Sequence, residues 1–109
     1  MTSTGKSISE LQLELGQGQY SLSRHALRRL VERNIPAASI REAGANAELI
    51  EDYPDDKFSP SCLLLGFTRT GQPLHLQVSR SPNPMVRIIT LYYPSLEDWD
   101  DFRVRRSRP

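Results

Sequence analysis

The chain has 109 residues, 38% of them hydrophobic and 25% charged, with a formal net charge of +1. That length supports one domain with one core, and the near-neutral balance argues against non-specific nucleic-acid binding by the whole surface. The longest apolar stretches, such as Cys62-Leu63-Leu64-Leu65, are far too short to span a bilayer. The N-terminus carries no apolar signal core, and the lone Cys62 cannot form an internal disulfide, so a reduced cytoplasmic setting without a membrane partner is expected.

Ile8, Leu11, Leu13 and Leu15 predict a short first helix, stopped by Gly16 and Gly18. Ser21 or Ser23 then caps a second helix running to about Arg33 by accepting an orphan backbone N–H. On that helix Glu32, His25 and Arg29 fall within about 60° of arc, with Arg28 and Arg33 on the shoulders. Ala26, Leu27, Leu30 and Val31 form the opposite side and are expected to seal the core. Asn34-Ile35-Pro36 is a break, because Pro36 disfavours helical geometry at Ile35. A third helix follows over 37 to about 45, with Ile40 and Ala43 inward and Gly44 and Asn46 at its end.

From there the period changes to two. Strands are predicted over 48–53, 61–68, 74–79 and 86–93, with loops over 55–60 and 80–84 and a turn at Thr70-Gly71. Ser95 is placed to cap a short helix over 96–99, and the basic tail 103–109 is expected to fray beyond a core of about 8–102. Helices first and strands after predict one α+β domain over 1–109, with N-terminal helices packed on a four-stranded antiparallel sheet.

His75 is the second residue of chemical interest. In its strand Leu74, Leu76 and Val78 face one way while His75, Gln77 and Ser79 face the other. A hairpin register with Thr90 opposite His75 makes His75, Gln77, Thr90 and Tyr92 a polar patch beside the helix bearing His25 and Arg29. A slip by one residue presents Arg87, Ile89 and Leu91 instead, and the sequence leaves both registers open. Two imidazoles with arginines and a tyrosine suit cleavage of RNA by its own 2′-hydroxyl. That reaction needs a base near the 2′-OH, an acid near the leaving 5′-oxygen and cations around the phosphate. It needs no metal or cofactor, and none is expected: the two histidines and single cysteine do not make a zinc site. The acidic segments around Asp52, Asp55 and Asp56 and around Asp98, Asp100 and Asp101 read as solvated loops. The chain also lacks a Gly-rich phosphate loop, a Gly-x-Ser-x-Gly elbow, a His-Glu-x-x-His pair and a Cys-x-x-Cys pair.

The string Ser23-x-His25-Ala26-x-x-Arg29-Leu30-x-x-Arg33-Asn34-Ile35 resembles the S-x-H-A-x-x-R-M-x-x-R-G-I signature of the domain-of-unknown-function 4258 family. The likeness continues through Ile50-Glu51-Asp52-Tyr53-Pro54-Asp55-Asp56, Pro60 to Phe67, Gly71-Gln72-Pro73-Leu74-His75, Ile89-Thr90-Leu91-Tyr92-x-Pro94 and Trp99, so it spans residues 19–102 in order. Leu30 stands where methionine is common, and Asn34 where glycine is common, a position whose left-handed backbone asparagine tolerates. The resemblance implies a two-layer fold shared with RelE-type and other small ribonuclease toxins. It further implies a metal-independent endoribonuclease acting as the toxin of a type II toxin–antitoxin pair. Expected partners are then RNA, including ribosome-bound mRNA, and a protein antitoxin, with no direct contact to DNA. On the matching positions, His25, His75 and Tyr92 are the expected catalytic residues, and Arg29, Arg33 and Thr90 the expected substrate contacts. The alternative expectation is a non-catalytic protein-interaction module of the same fold.

Overall fold

The protein is described here by a computed structural model covering residues 5–57 and 59–107. Met1–Thr4, Phe58 in the expected loop, and Arg108 and Pro109 at the end of the expected tail lie outside the described residues.

The first helix, α1 (Ile8–Gly16), starts on a reciprocal cap: Ser7 Oγ accepts from the Glu10 N–H (3.1 Å) and the Glu10 carboxylate accepts from the Ser7 N–H (2.9 Å). Leu11 and Leu15, four apart, are buried, whereas Leu13 lies on the far flank and is exposed. After the three-residue strand β1 (Tyr20–Leu22), α2 (Arg24–Glu32) begins at Ser23. The Ser23 hydroxyl accepts from the Ala26 N–H (2.9 Å) and donates to the Ile89 carbonyl (2.7 Å), so one side chain both caps the helix and ties it to the sheet. Asn34 takes the left-handed conformation (φ 52°) that turns the chain into α3 (Ala37–Ala45). Ile40 and Ala43 of α3 are buried as their spacing predicts.

Four of the five strands of the main sheet match the alternating segments: β2 (Glu48–Tyr53), β3 (Ser61–Phe67), β4 (Pro73–Ser79) and β5 (Val86–Tyr92). The sheet order is β1-β5-β4-β3-β2. The expected four-stranded antiparallel sheet is therefore corrected to a five-stranded mixed one, because β1 pairs in parallel with β5. Three residues show no alternation, and their partner lies more than sixty positions away, so no local pattern announces the pairing.

Two further expectations are corrected at the C-terminal end. The segment 96–98 is a single turn rather than a helix, since Trp99 is drawn into β6 (Trp99–Asp100), which pairs with β7 (Val104–Arg105). The described part of the basic segment past Phe102 is likewise pinned, over 103–106, where fraying was expected. Arg103 pairs with Glu48 in a two-pronged bond (2.9 Å from each of Nε and Nη2), and Arg105 pairs with Glu51 (2.9 Å).

One layer of the core is made by Leu11, Leu15, Ala26, Ile40 and Ala43 against Cys62, Leu64, Leu76, Ile88 and Leu91. Cys62 is the buried apolar filler its run predicts, and burial pushes its thiol up to about 11. The opposite sheet face is also covered in part. Leu63, Leu65 and His75 are buried there together with Trp99 of the β6–β7 hairpin, which gives the two-layer domain a small third layer. The second helix contributes less to the core than its pattern predicts. Ala26 is sealed and Leu30 partly so, but Leu27 and Val31 are 51% and 65% exposed. The inward face is centred between Ala26 and Leu30, which puts Leu27 and Val31 about 80° and about 120° away from it.

Candidate functional site

The helix α2 and the end of β5 meet in a cleft of about 300 Å³, lined by Arg29, Arg33, Tyr92, Tyr93, Pro94, Ser95, Asp98 and Trp99. Arg29 and Arg33 are one helical turn apart, so both guanidiniums reach the same cleft. Neither has a hydrogen-bonding or ion-pair partner among the described residues, unlike Arg80, Arg103 and Arg105, which are each held by a carboxylate. Tyr92 and Trp99 form a wall shared with a second opening, lined by Arg105 and Arg106 together with Asp98. Arg105 lies over the Trp99 ring at 4.7 Å, and Arg106 donates to the Leu96 carbonyl (2.6 Å). Four arginines thus surround one tyrosine and one tryptophan, opposed in the cleft by Asp98, whose carboxylate accepts from the Ser95 hydroxyl (3.2 Å).

Behind Tyr92 sits His75, fully buried. Its ring meets Trp99 edge-on at 4.4 Å and Tyr92 at 5.2 Å. Both ring nitrogens are engaged: Nε2 lies 2.7 Å from the Phe102 carbonyl and Nδ1 lies 3.2 Å from the Tyr92 hydroxyl. A carbonyl only accepts, so the proton is on Nε2. In the neutral ring Nδ1 is then an acceptor, and Tyr92 donates to it. Burial pulls His75 below its ordinary value of 6.5. The Phe102 hydrogen bond and Glu51 oppose that shift, and Arg105 adds to it. Burial likewise raises the Tyr92 phenol above its ordinary value, with Arg105 pulling the other way and Tyr53 and Glu51 adding to the rise. The pair is therefore a neutral imidazole held to a neutral phenol.

The direction at His75 fixes a pH response. Its folded-state pKa is below the unfolded one, so the unfolded chain binds the extra proton first as pH falls. The contribution of His75 to stability is complete above pH 6.5 and is lost progressively below it. In urea unfolding across pH 5–7.5, His75→Gln is expected to show a shallower loss of stability below 6.5 than wild type; parallel curves would contradict the buried neutral ring.

The six residues singled out in the sequence are only partly brought together. Arg29, Arg33 and Tyr92 line one cleft, and His75 supports Tyr92 from behind. His25 is exposed and does not line the cleft, standing one helical turn before Arg29 on the same side of α2. Thr90 is opposite Gln77, and Tyr92 takes the place opposite His75, two residues away from the register expected. Neither expected register is found, since Tyr92 stands opposite His75 and Leu91 stays in the core, but a bulge turns parts of both expected sets outward. Gln77 pairs with Thr90 but Val78 pairs with Ile88, so Ile89 is an extra residue in β5. Tyr92 and Thr90 share the outer face on one side of the bulge, while Arg87 and Ile89 line an outer-face cavity on the other. Trp99, Arg105 and Arg106 were not anticipated as site residues. The signal for the two arginines is the arginine-rich segment after Phe102, which reads as a tail until the hairpin folds it back.

A model of the family described as a domain of unknown function (DUF4258) matches residues 22–93, and the chain belongs to that family. The match takes in α2, β2 to β5 and the Arg29, Arg33, His75 and Tyr92 positions of the site. No curated protein and no solved structure matches the chain.

Proposed function

We propose that this chain is a ribonuclease of the toxin type, acting in the cytoplasm, and that the Arg29/Arg33 cleft holds the scissile phosphodiester. The observation that carries the reading is the pair of unpartnered guanidiniums facing a tyrosine whose hydroxyl is oriented by a buried neutral histidine. Guanidinium forks match the oxygens of a phosphate, and a partly enclosed cleft strengthens them as negative charge builds there. His25, exposed beside Arg29, takes the proton of the 2′-hydroxyl. The 2′-oxygen attacks phosphorus, the bond from phosphorus to the 5′-oxygen breaks, and the Tyr92 hydroxyl turns its one proton from His75 Nδ1 to the leaving oxygen and supplies it there; the proton taken up by His25 then returns to Tyr92 through water. His75 holds Tyr92 in place and does not itself meet substrate. Trp99 offers a face on which a base stacks.

The test is RNA cleavage by purified protein in the presence of a chelator, together with growth after induced expression. Wild type is expected to cleave RNA and arrest growth. His25→Ala should lose about 10²- to 10⁴-fold in rate, and Arg29→Ala combined with Arg33→Ala should lose at least about 10²-fold. Intact RNA with wild type would overturn the reading.

A second reading, a non-catalytic module that grips another protein, is favoured by one observation. Leu27 and Val31 stand exposed on α2 beside Arg24 and Arg28, which have no ion-pair partner among the described residues, an apolar stripe with a basic margin. An antitoxin covering the same helix would use that stripe under either reading. RNA left intact, with a tight protein partner recovered on α2, would select the second.

A further inference from the structure

A larger cavity, about 520 Å³, opens elsewhere on the outer sheet face and falls in the size range of small-ligand pockets. It exists because of the bulge at Ile89: a regular strand with Thr90 and Tyr92 outward would send Arg87 and Ile89 into the core. Its lining includes Asp56, Gln77, Ser79, Asn83, Arg87 and Ile89. Arg87 is exposed and has no hydrogen-bonding or ion-pair partner among the described residues. Asp56 accepts from the Ser61 hydroxyl through Oδ2 (2.6 Å), which leaves Oδ1 and the second lone pair of Oδ2 available. Gln77 gives its amide N–H to Ser61 (3.3 Å), which leaves its carbonyl oxygen open.

This lining fits neither an isolated phosphate nor a metal ion, since one guanidinium and one carboxylate balance and the rest is amide, hydroxyl and one aliphatic side chain. It fits a flat neutral heterocycle with both acceptors and donors. Guanine presents two adjacent acceptors, O6 and N7, that match a guanidinium fork, and two adjacent donors, N1–H and N2–H₂, that match a carboxylate. Adenine puts a donor beside N7, so Arg87 would face a like group, and cytosine and uracil lack the paired edges. Ile89 supplies an apolar surface against the ring.

We propose that this cavity is a guanine pocket, holding the base of a nucleotide next to the phosphodiester in the Arg29/Arg33 cleft. That the guanine comes from RNA rests on the ribonuclease reading above. The two sites are linked by β5: Ile89 and Tyr92 are three residues apart, about 10 Å along the strand, a span that adjacent nucleotides of an extended single strand can cover. Phosphate contacts then place the strand, and the Asp56/Arg87 pair reads one base.

The experiment is calorimetric titration of GMP, AMP, CMP and UMP into wild type, Arg87→Ala and Asp56→Asn, with folding checked by circular dichroism. In parallel, inorganic phosphate is titrated and followed by the fluorescence of Trp99, the chain's only tryptophan, which lines the arginine cleft and not this cavity. GMP is expected to bind at least about tenfold more tightly than the other three, and either substitution should bring it to the AMP level. The phosphate response should be unchanged in both variants. Equal binding of all four nucleotides, or a GMP preference that survives both substitutions, overturns the guanine pocket. If the GMP preference depends on Arg87 and Asp56 while phosphate never perturbs Trp99, the pocket stands and the phosphodiester cleft falls. A phosphate response abolished by Arg29→Ala, without any GMP preference, leaves the cleft and removes the pocket.

Discussion

Gly66→Ala is expected to leave little folded protein. A methyl group at Gly66 would overlap the Ala43 carbonyl oxygen, and would lie 2.5 Å from the Ala43 carbonyl carbon and 2.9 Å from its Cα. These are backbone atoms of α3, so no side chain can rotate out of the way. Either the helix lifts from the sheet, which exposes Ile40 and Ala43, or β3 shifts within a strand pairing that is fixed on both sides. Overpacking of ordinary cores costs about 1–3 kcal/mol. A clash with helix backbone should exceed about 3 kcal/mol, a large part of the roughly 5–15 kcal/mol that holds a domain together. Gly71→Ala is the control. Gly71 has open space around it but sits at φ 86°, so its substitution should cost only about 1–2 kcal/mol of left-handed strain. Urea midpoints of the two variants against wild type give the measurement, and a Gly66→Ala midpoint close to wild type would rule out the α3–β3 contact.

Trp99→Ala should be the second large loss. Trp99 is 4% exposed, packed edge-on against His75 on one side and under Arg105 on the other. Truncating a buried aromatic of this size costs about 3–5 kcal/mol. Here it also removes what keeps β6 and β7 on the sheet and admits water to His75. Two readouts should therefore move together: the unfolding midpoint falls, and the loss of stability between pH 7.5 and 5 flattens because His75 can charge in place. Trp99→Phe keeps the ring contact and should retain most of both. A destabilised Trp99→Ala with an unaltered pH profile would show that Trp99 does not seal His75.

Much of this architecture is legible in the sequence, for reasons that differ by element. The third helix, Ala37–Ala45, and β2 through β5 follow from local signals: Pro36, a two-residue period and the turn at Gly71. The Ser23 cap is equally local. Elements whose stability comes from distant partners are not legible. β1 has three residues and gains its identity only beside β5, and the β6–β7 hairpin is held by Trp99 on His75 and by arginines on Glu48 and Glu51. At the site, Arg29, Arg33 and Tyr92 share a cleft as residue chemistry suggests. The depth at which His75 lies was not legible, because alternation shows which face a residue takes but not whether a later segment covers that face. The bulge at Ile89 escaped for a related reason: either outward set satisfies the period of two locally, and only the pairing with β4 reveals that the outward positions change phase at Ile89.

The parallel pairing of β1 with β5 also sets the order in which the molecule can come into being. The contacts that close the fold join its beginning to its last strands: Tyr20 to Val86, Ser23 to Ile89, and the Lys6 backbone to Arg80. Such long loops must close before their contacts return any stability. On a ribosome, the helix carrying Arg29 and Arg33 emerges long before Tyr92 and Trp99 exist to face it. A nascent chain therefore displays a basic helix with no opposite wall, and the cleft is assembled only once residues 92–99 have emerged. For a protein proposed to cut RNA, the topology itself delays activity until the second wall of the cleft has been made.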